Sequence, residues 1–362
     1  MKLFAVSAIA GLIISLAGLT LANDEKKDRK PGEKIERSMT VDAQATVTLC
    51  VSSGTLEVHG WDKNEIRVRS LDAAQLDFRR IDKNKDASKP ATRVDVMVLD
   101  KTSLENPKLD CQAVADVEME VPANATVQVQ TRDGDITIVG VAGAYAGSQN
   151  GDITIERATK LVEAGSVGGS ILLKDSSGRV NLSSAGGGVE VMNVRAATDE
   201  DTFEVGTVSG DIHLDHVSTP KVTAKTVNGA LMMIGPLAKT GYYGFTNVTG
   251  DIVLALPSDA SFHLTAKISE KHNIVSDFKL TYLNEGPPPP PAATPRSPEG
   301  TPKPPAPRTQ PAPKAGPVIA PVTVERPMHI PYVLRRINAV CGTGDATISI
   351  ASFGGAIRLK KI

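Results

Sequence analysis

Asp211, His213, Asp215 and His216 are the densest cluster of side chains able to ligate a metal. Carboxylates and imidazoles are the donors a divalent ion selects. The spacing argues against a site: in a strand, Ile212 and Leu214 point inward and His213 outward, so His216 has to fold back from a turn to meet it. These four residues are expected to face solvent, and no metal is assigned. Ser209 in Gly206-Thr207-Val208-Ser209-Gly210 stands one position away from the serine of a strained nucleophile elbow, so the segment reads as a turn. Gly186-Gly187-Gly188 lies between strands and opens no helix, which removes a phosphate loop and a dinucleotide fingerprint. Outward strand positions are mainly Thr, Ser, Glu and Lys without a clustered acid and base. No catalytic, cofactor-binding or metal-binding residue is therefore assigned, no cofactor is expected, and the chain is expected not to be an enzyme.

Three cysteines remain for chemistry. Cys50, Cys111 and Cys341 allow one disulfide and leave one thiol. Cys50 with Cys111 is the first choice, because the other two pairings must tie the C-terminal end back; three buried thiols are the alternative. No CxxC or Cys/His spacing suits zinc.

The elements that carry these residues come from a repeat: Gly, a small or acidic residue, an aliphatic, any residue, an aliphatic. It starts at Gly134, Gly151, Gly169, Gly210, Gly229 and Gly250, and Gly188-Val189-Glu190-Val191 is a shortened copy. Successive glycines lie 17 to 22 residues apart. A second alternating run precedes most of them, as in Val180-Asn181-Leu182-Ser183. Period-two alternation makes strands, and two short strands cannot close a core alone. Stacked copies do, with each aliphatic over its equivalent in the next coil. The expected fold is an all-β, single-domain β-solenoid resembling a parallel β-helix, with glycine at the turn for its access to positive φ. An antiparallel β-sandwich is the competing architecture. In register, Asp135 lies about 5 Å from Asp152 and needs water, a backbone donor or a cation between them. The Gly-rich calcium nonapeptide is missing, so Asp is expected to bond its own backbone in the turn.

With 40 Lys+Arg against 41 Asp+Glu, the balance gives no steering to nucleic acid or acidic lipid, and polyanion binding is not expected. Aromatic residues at 4% argue against an aromatic sugar platform. Lys2, an apolar run from Leu3 to Leu21 and Ala22 read as a signal peptide over 1–22, with an uncleaved anchor as the alternative. Residues 23–37 are expected to be a disordered charged leader. The β-strand-repeat domain is expected over 38–285, its first part, 38–125, a cap-like sheet and 126–285 the repeats. A Pro-rich insertion covers 286–328, and 329–362 supply closing strands of the same domain. The expected location is exported: periplasm, cell surface or extracellular, with no transmembrane domain after signal cleavage.

Ser53-Gly54-Thr55-Leu56-Glu57-Val58, Gly60-Trp61-Asp62, the Val121-Pro122 step, the Gly-Asp-Ile repeats, Leu256-Pro257 and Gly342-Thr343-Gly344 follow one another in an order that resembles the bacterial putative-adhesin family of envelope proteins. The likeness covers most of 40–283 and 333–362, and the Pro-rich arm departs from it. It implies a β-solenoid-like fold, no established enzymatic activity and no catalytic residues to carry over. The function expected is a non-catalytic adhesin or binding scaffold of the cell envelope, with a cell-wall polymer or envelope protein as partner. A structural or assembly protein is the second reading, and a polysaccharide-active β-helix enzyme the third.

Overall fold

A computed structural model of the chain describes residues 34–82, 88–102, 111–269, 273–283 and 334–362; the expected signal peptide at 1–22 and insertion at 286–328 lie outside them. The aliphatic alternation makes strands, and the strands stack into two parallel sheets that face each other across one core. One coil shows the plan. Gly143–Asn150 runs in the second sheet, the chain turns at Gly151-Asp152, and Ile153–Glu156 runs in the first sheet. The next coil, Leu161–Ser166 and Ile171–Lys174, lies on it in parallel register, Val162 beside Ala144 and Ile171 beside Ile153. The fold is a β-solenoid, and opposed antiparallel sheets are excluded because the repeats pair in parallel throughout. Ile136, Ile153, Ile171, Val189, Ile212, Leu231 and Ile252 form one buried column along the axis. Each such side chain contributes about 1.5–3 kcal/mol by leaving water.

The glycines at the turn are required by close approach more than by positive φ. A Cβ on Gly151 would stand 2.0 Å from the carbonyl oxygen of Gly134, and one on Gly169 would stand 2.0 Å from that of Gly151. The same contact links Gly54, Gly187, Gly210, Gly229, Gly250 and Gly355 into one column. Gly187, not Gly188, is thus the repeat glycine of its coil, and Gly188 takes the place that Asp152 or Ser170 holds elsewhere. Three residues before Gly169, Gly187 and Gly210 a buried hydroxyl donates to the glycine carbonyl of the preceding coil: Ser166 to Gly151 at 3.1 Å, Ser184 to Gly169 at 2.9 Å, Thr207 to Gly187 at 2.9 Å. Buried carbonyls left bare by the tight turn are satisfied this way.

The opposite corner uses the left-handed region. Gly140, Arg157, Asp175, Asn193, His216 and Gly235 occupy equivalent corner positions, all with positive φ. The non-glycine members hold a conformation costing about 1–2 kcal/mol each.

The two ends are built alike. At the N-terminal end Thr46–Ser53 and Leu56–Trp61 form a coil directly against the first repeat, so the stack begins before residue 126. The chain then travels outward through Glu65–Ser70, Gln75–Arg80, Ala91–Leu99 and Val117–Pro122 before returning to the repeats. Strand Ile35–Ser53 starts inside the stretch expected as a leader, because Ile35–Thr40 pairs with Glu65–Ser70 and Arg69 holds Glu36. At the C-terminal end, Ala346–Ser352 and Ile357–Lys361 slot between the coil of Tyr242–Leu256 and that of Phe262–Ser276. The antiparallel strand Leu334–Cys341 covers the last coil in the second sheet. The final glycine-led strands therefore do not form the outermost layer.

Candidate ligand-binding face

Insertion of Ala346–Ser352 assembles a surface from strands distant in sequence. Inward positions of Lys221–Asn228, Tyr242–Thr249, Ala346–Ser352 and Phe262–Ser269 are buried, so the alternate residues face out. Lys221 and Lys225 mark two corners on one strand; His263 and Lys267 mark the other two, three strands away. That geometry makes a frame about 13 Å by 14 Å. Its floor is hydroxyl-rich: Thr223, Thr246, Thr347, Ser349 and Thr265. Arg336 adds a fourth fixed positive charge, beside Lys267. Lys221, Lys225, His263, Lys267 and Arg336 are all exposed.

Within the frame lies a shallow hollow of about 480 Å³ whose lining includes Lys221, Lys225, Tyr242 and Ser349. A Cβ on Gly244 would stand 3.1 Å from the Tyr242 ring, so the ring lies over a position without a side chain. The ring lies along the sheet face and is 42% exposed. One aromatic platform is thus present despite the low aromatic content, because sequence totals do not show where a single ring stands. None of the outward positions on these strands or on Leu334–Cys341 holds Asp or Glu. Toward the N-terminal side the same rows carry Glu163 and Glu204 instead. On this face the C-terminal rows therefore carry Lys221, Lys225, Lys267 and Arg336 without a carboxylate among them.

The structure does not bring the four residues of the sequence cluster together. The Asp211 carboxylate accepts the Ala230 amide at 2.7 Å in the glycine turn, while His213 stands outward between Glu190 and Met232. Asp215 and His216 pair at the left-handed corner, Oδ1 to Nδ1 2.5 Å. Among the described residues no three His, Cys, Asp or Glu side chains converge to hold an ion. Thr207 in the Gly206–Gly210 segment is buried and bonded, and that segment is strand into turn. Asp135 and Asp152 do stack, but neither bonds its own backbone: Asp135 Oδ1 accepts the Asp152 amide at 2.8 Å, and Asp152 Oδ1 accepts the Ser170 amide at 2.7 Å. Cys50 and Cys111 are joined in a disulfide, and Cys341 is a buried thiol whose acidity burial weakens. The frame escaped sequence reading because its two lysine-bearing strands become neighbours of one surface only through the inserted C-terminal strand.

The Toastrack DUF4097 family model matches residues 22–272. No curated protein matches the chain. Among solved structures it is similar to a "putative adhesin" from Parabacteroides distasonis ATCC 8503, at 12% identity over 62% of this chain and 91% of that one, TM-score 0.39. A "putative adhesin" from Parabacteroides merdae ATCC 43184 is similar at 10% identity over 62% and 90%, TM-score 0.36. A "putative cell adhesion protein" from Clostridium sporogenes ATCC 15579 follows at 11% identity over 91% and 100%, TM-score 0.18.

Proposed function

Because the chain belongs to the Toastrack DUF4097 family, we propose that it is a non-catalytic binding scaffold, an exported β-repeat protein that acts as an adhesin of the bacterial cell envelope. The observation that carries this reading is the flat outer face between Lys221 and Lys267, where cations, hydroxyls and the Tyr242 ring stand exposed on a rigid sheet. Regular strands present such groups at fixed spacing, which suits many weak polar contacts with a repeating ligand. Export is supported by the signal-like residues 1–22 and by the Cys50–Cys111 disulfide, a bond that persists in oxidising compartments.

A structural or assembly role is the second reading. Leu283 donates its amide to the Asn338 carbonyl at 2.9 Å, so the chain leaves the described structure beside the strand on which it resumes. We propose the Pro-rich stretch 286–328 as a tether rooted there. Incubation of the full chain with isolated cell-wall material, with and without 286–328, tests both. Binding retained without the stretch, and no release of soluble sugar, supports the scaffold. Loss of binding only on its deletion favours the tether, and release of reducing ends overturns the non-catalytic reading.

A further inference from the structure

We propose that the basic frame on the second sheet takes an acidic polysaccharide laid across the coils. The inference rests on the binding-scaffold reading and names its ligand class. Lys221 and Lys225 stand four residues apart on one strand, and His263 and Lys267 repeat that spacing on a strand three steps along the axis. No carboxylate neutralises them from the rows between, which hold Tyr242, Gly244, Thr246, Thr347, Ser349 and Ala351. The exposed lysines have no acidic partner within ion-pair distance among the described residues, unlike Arg67, Arg69 and Arg358, each paired with a carboxylate.

The floor selects the kind of anion. A compact phosphate is best held by converging donors, whereas Lys221, Lys225, His263 and Lys267 spread over a frame about 13 Å by 14 Å, a span that an extended polyanion follows. An extended chain that carries a carboxylate on each sugar ring can present one at successive corners. Its hydroxyls meet Thr223, Thr246 and Ser349, and one ring face rests on Tyr242. Single-stranded nucleic acid is the less fitting polyanion, since it stacks its bases on several aromatic rings and this floor offers one.

Binding of the full chain to polygalacturonate, to neutral dextran and to single-stranded DNA tests the proposal. Polygalacturonate is expected to bind with an affinity that falls as salt rises, and dextran not to bind. The double variant Lys221→Glu/Lys267→Glu is expected to lose on the order of tenfold or more in affinity with its melting temperature unchanged. Lys174→Glu, on the other sheet, is expected to leave the affinity unchanged, whatever it costs in stability beside Glu156. Equal binding to dextran, unaltered binding by the double variant, or tighter binding to DNA than to polygalacturonate overturns the proposal. Cell-wall binding that survives the double variant and high salt would refute the acidic ligand while leaving the scaffold reading standing. Absence of any cell-wall binding would refute the scaffold itself.

Discussion

The carboxylate of Asp135 accepts a hydrogen bond at 2.8 Å from the backbone amide of Asp152, the residue that holds its own place one coil further on. The link recurs from Asp152 to Ser170, from Asp211 to Ala230 and from Asp251 to Ala356. A backbone donor thus occupies the space between stacked acids that a cation would otherwise fill. Addition of EDTA is expected to leave the melting temperature unchanged. Asp152→Asn keeps an acceptor and is expected to be within about 0.5 kcal/mol of wild type, while Asp152→Ala strands the Ser170 amide and costs about 1 kcal/mol. Chemical denaturation of the two variants with and without chelator checks both; a melting temperature lowered by EDTA would mean that a metal bridges the acids.

Glycine tolerance should divide by column. In Gly151→Ala the new methyl carbon meets Gly134 O at 2.0 Å and its carbonyl carbon at 2.4 Å, and neither is a flexible side chain. The coils must part locally, so a loss of about 3 kcal/mol or more is expected. Gly206 faces outward with its nearest neighbour, Lys225 O, at 3.8 Å. Gly206→Ala is expected within about 0.5 kcal/mol of wild type. Equal losses at both positions would show that the column is not held by close contact.

The N-terminal cap supplies a pH signature. The hydrogen bond from Arg67, reinforced by the charges of Arg67 and Arg69, holds the Glu120 carboxyl below its ordinary 4.5. A depressed folded value means that the stabilisation is complete above the ordinary value and is lost as pH falls through the folded one. Glu120→Gln is expected to cost about 1 kcal/mol at pH 7, a modest figure because solvent reaches the pair. Melting curves of both proteins from neutral to acid pH should converge as pH falls below the ordinary carboxylate range. A gap that widens in acid would contradict the assignment.

The repeat itself was legible because chemistry repeats with geometry. Ser166, Ser184, Thr207 and Thr226 each precede a column glycine by three residues, and the aliphatics alternate around them. The ends were not legible. Tyr242 pairs with Thr347 across more than a hundred residues, and nothing in the alternation of either strand marks its neighbour. Gly188 was confused with Gly187 because adjacent glycines look alike until a carbonyl approaches one of them. Arg157 and His216 gave no warning of positive φ, since the corner is imposed by stacked coils and not by their own preference. The basic frame shares the fate of the ends, because it exists only once that pairing places Lys225 and Lys267 on one surface.

The disulfide and the remaining thiol sit at opposite ends of the stack, which makes their chemistry separable. Cys50 lies on the N-terminal coil beside Gln130, whereas Cys341 lies on the outermost C-terminal strand. Exchange between them needs unfolding, and burial keeps the Cys341 thiol from ionising readily. A cross-link spanning 61 residues restricts the unfolded chain by about 4 kcal/mol in the chain-entropy estimate. Cys50→Ser/Cys111→Ser is accordingly expected to lose about 2–4 kcal/mol. Maleimide labelling distinguishes the thiols directly. One group should react in denaturant without reductant, three after reduction, and the one should be protected while the chain is folded. Three reactive thiols without reductant would show that the chain folds with the Cys50–Cys111 bond open, leaving the N-terminal coil to be held by its parallel pairing alone.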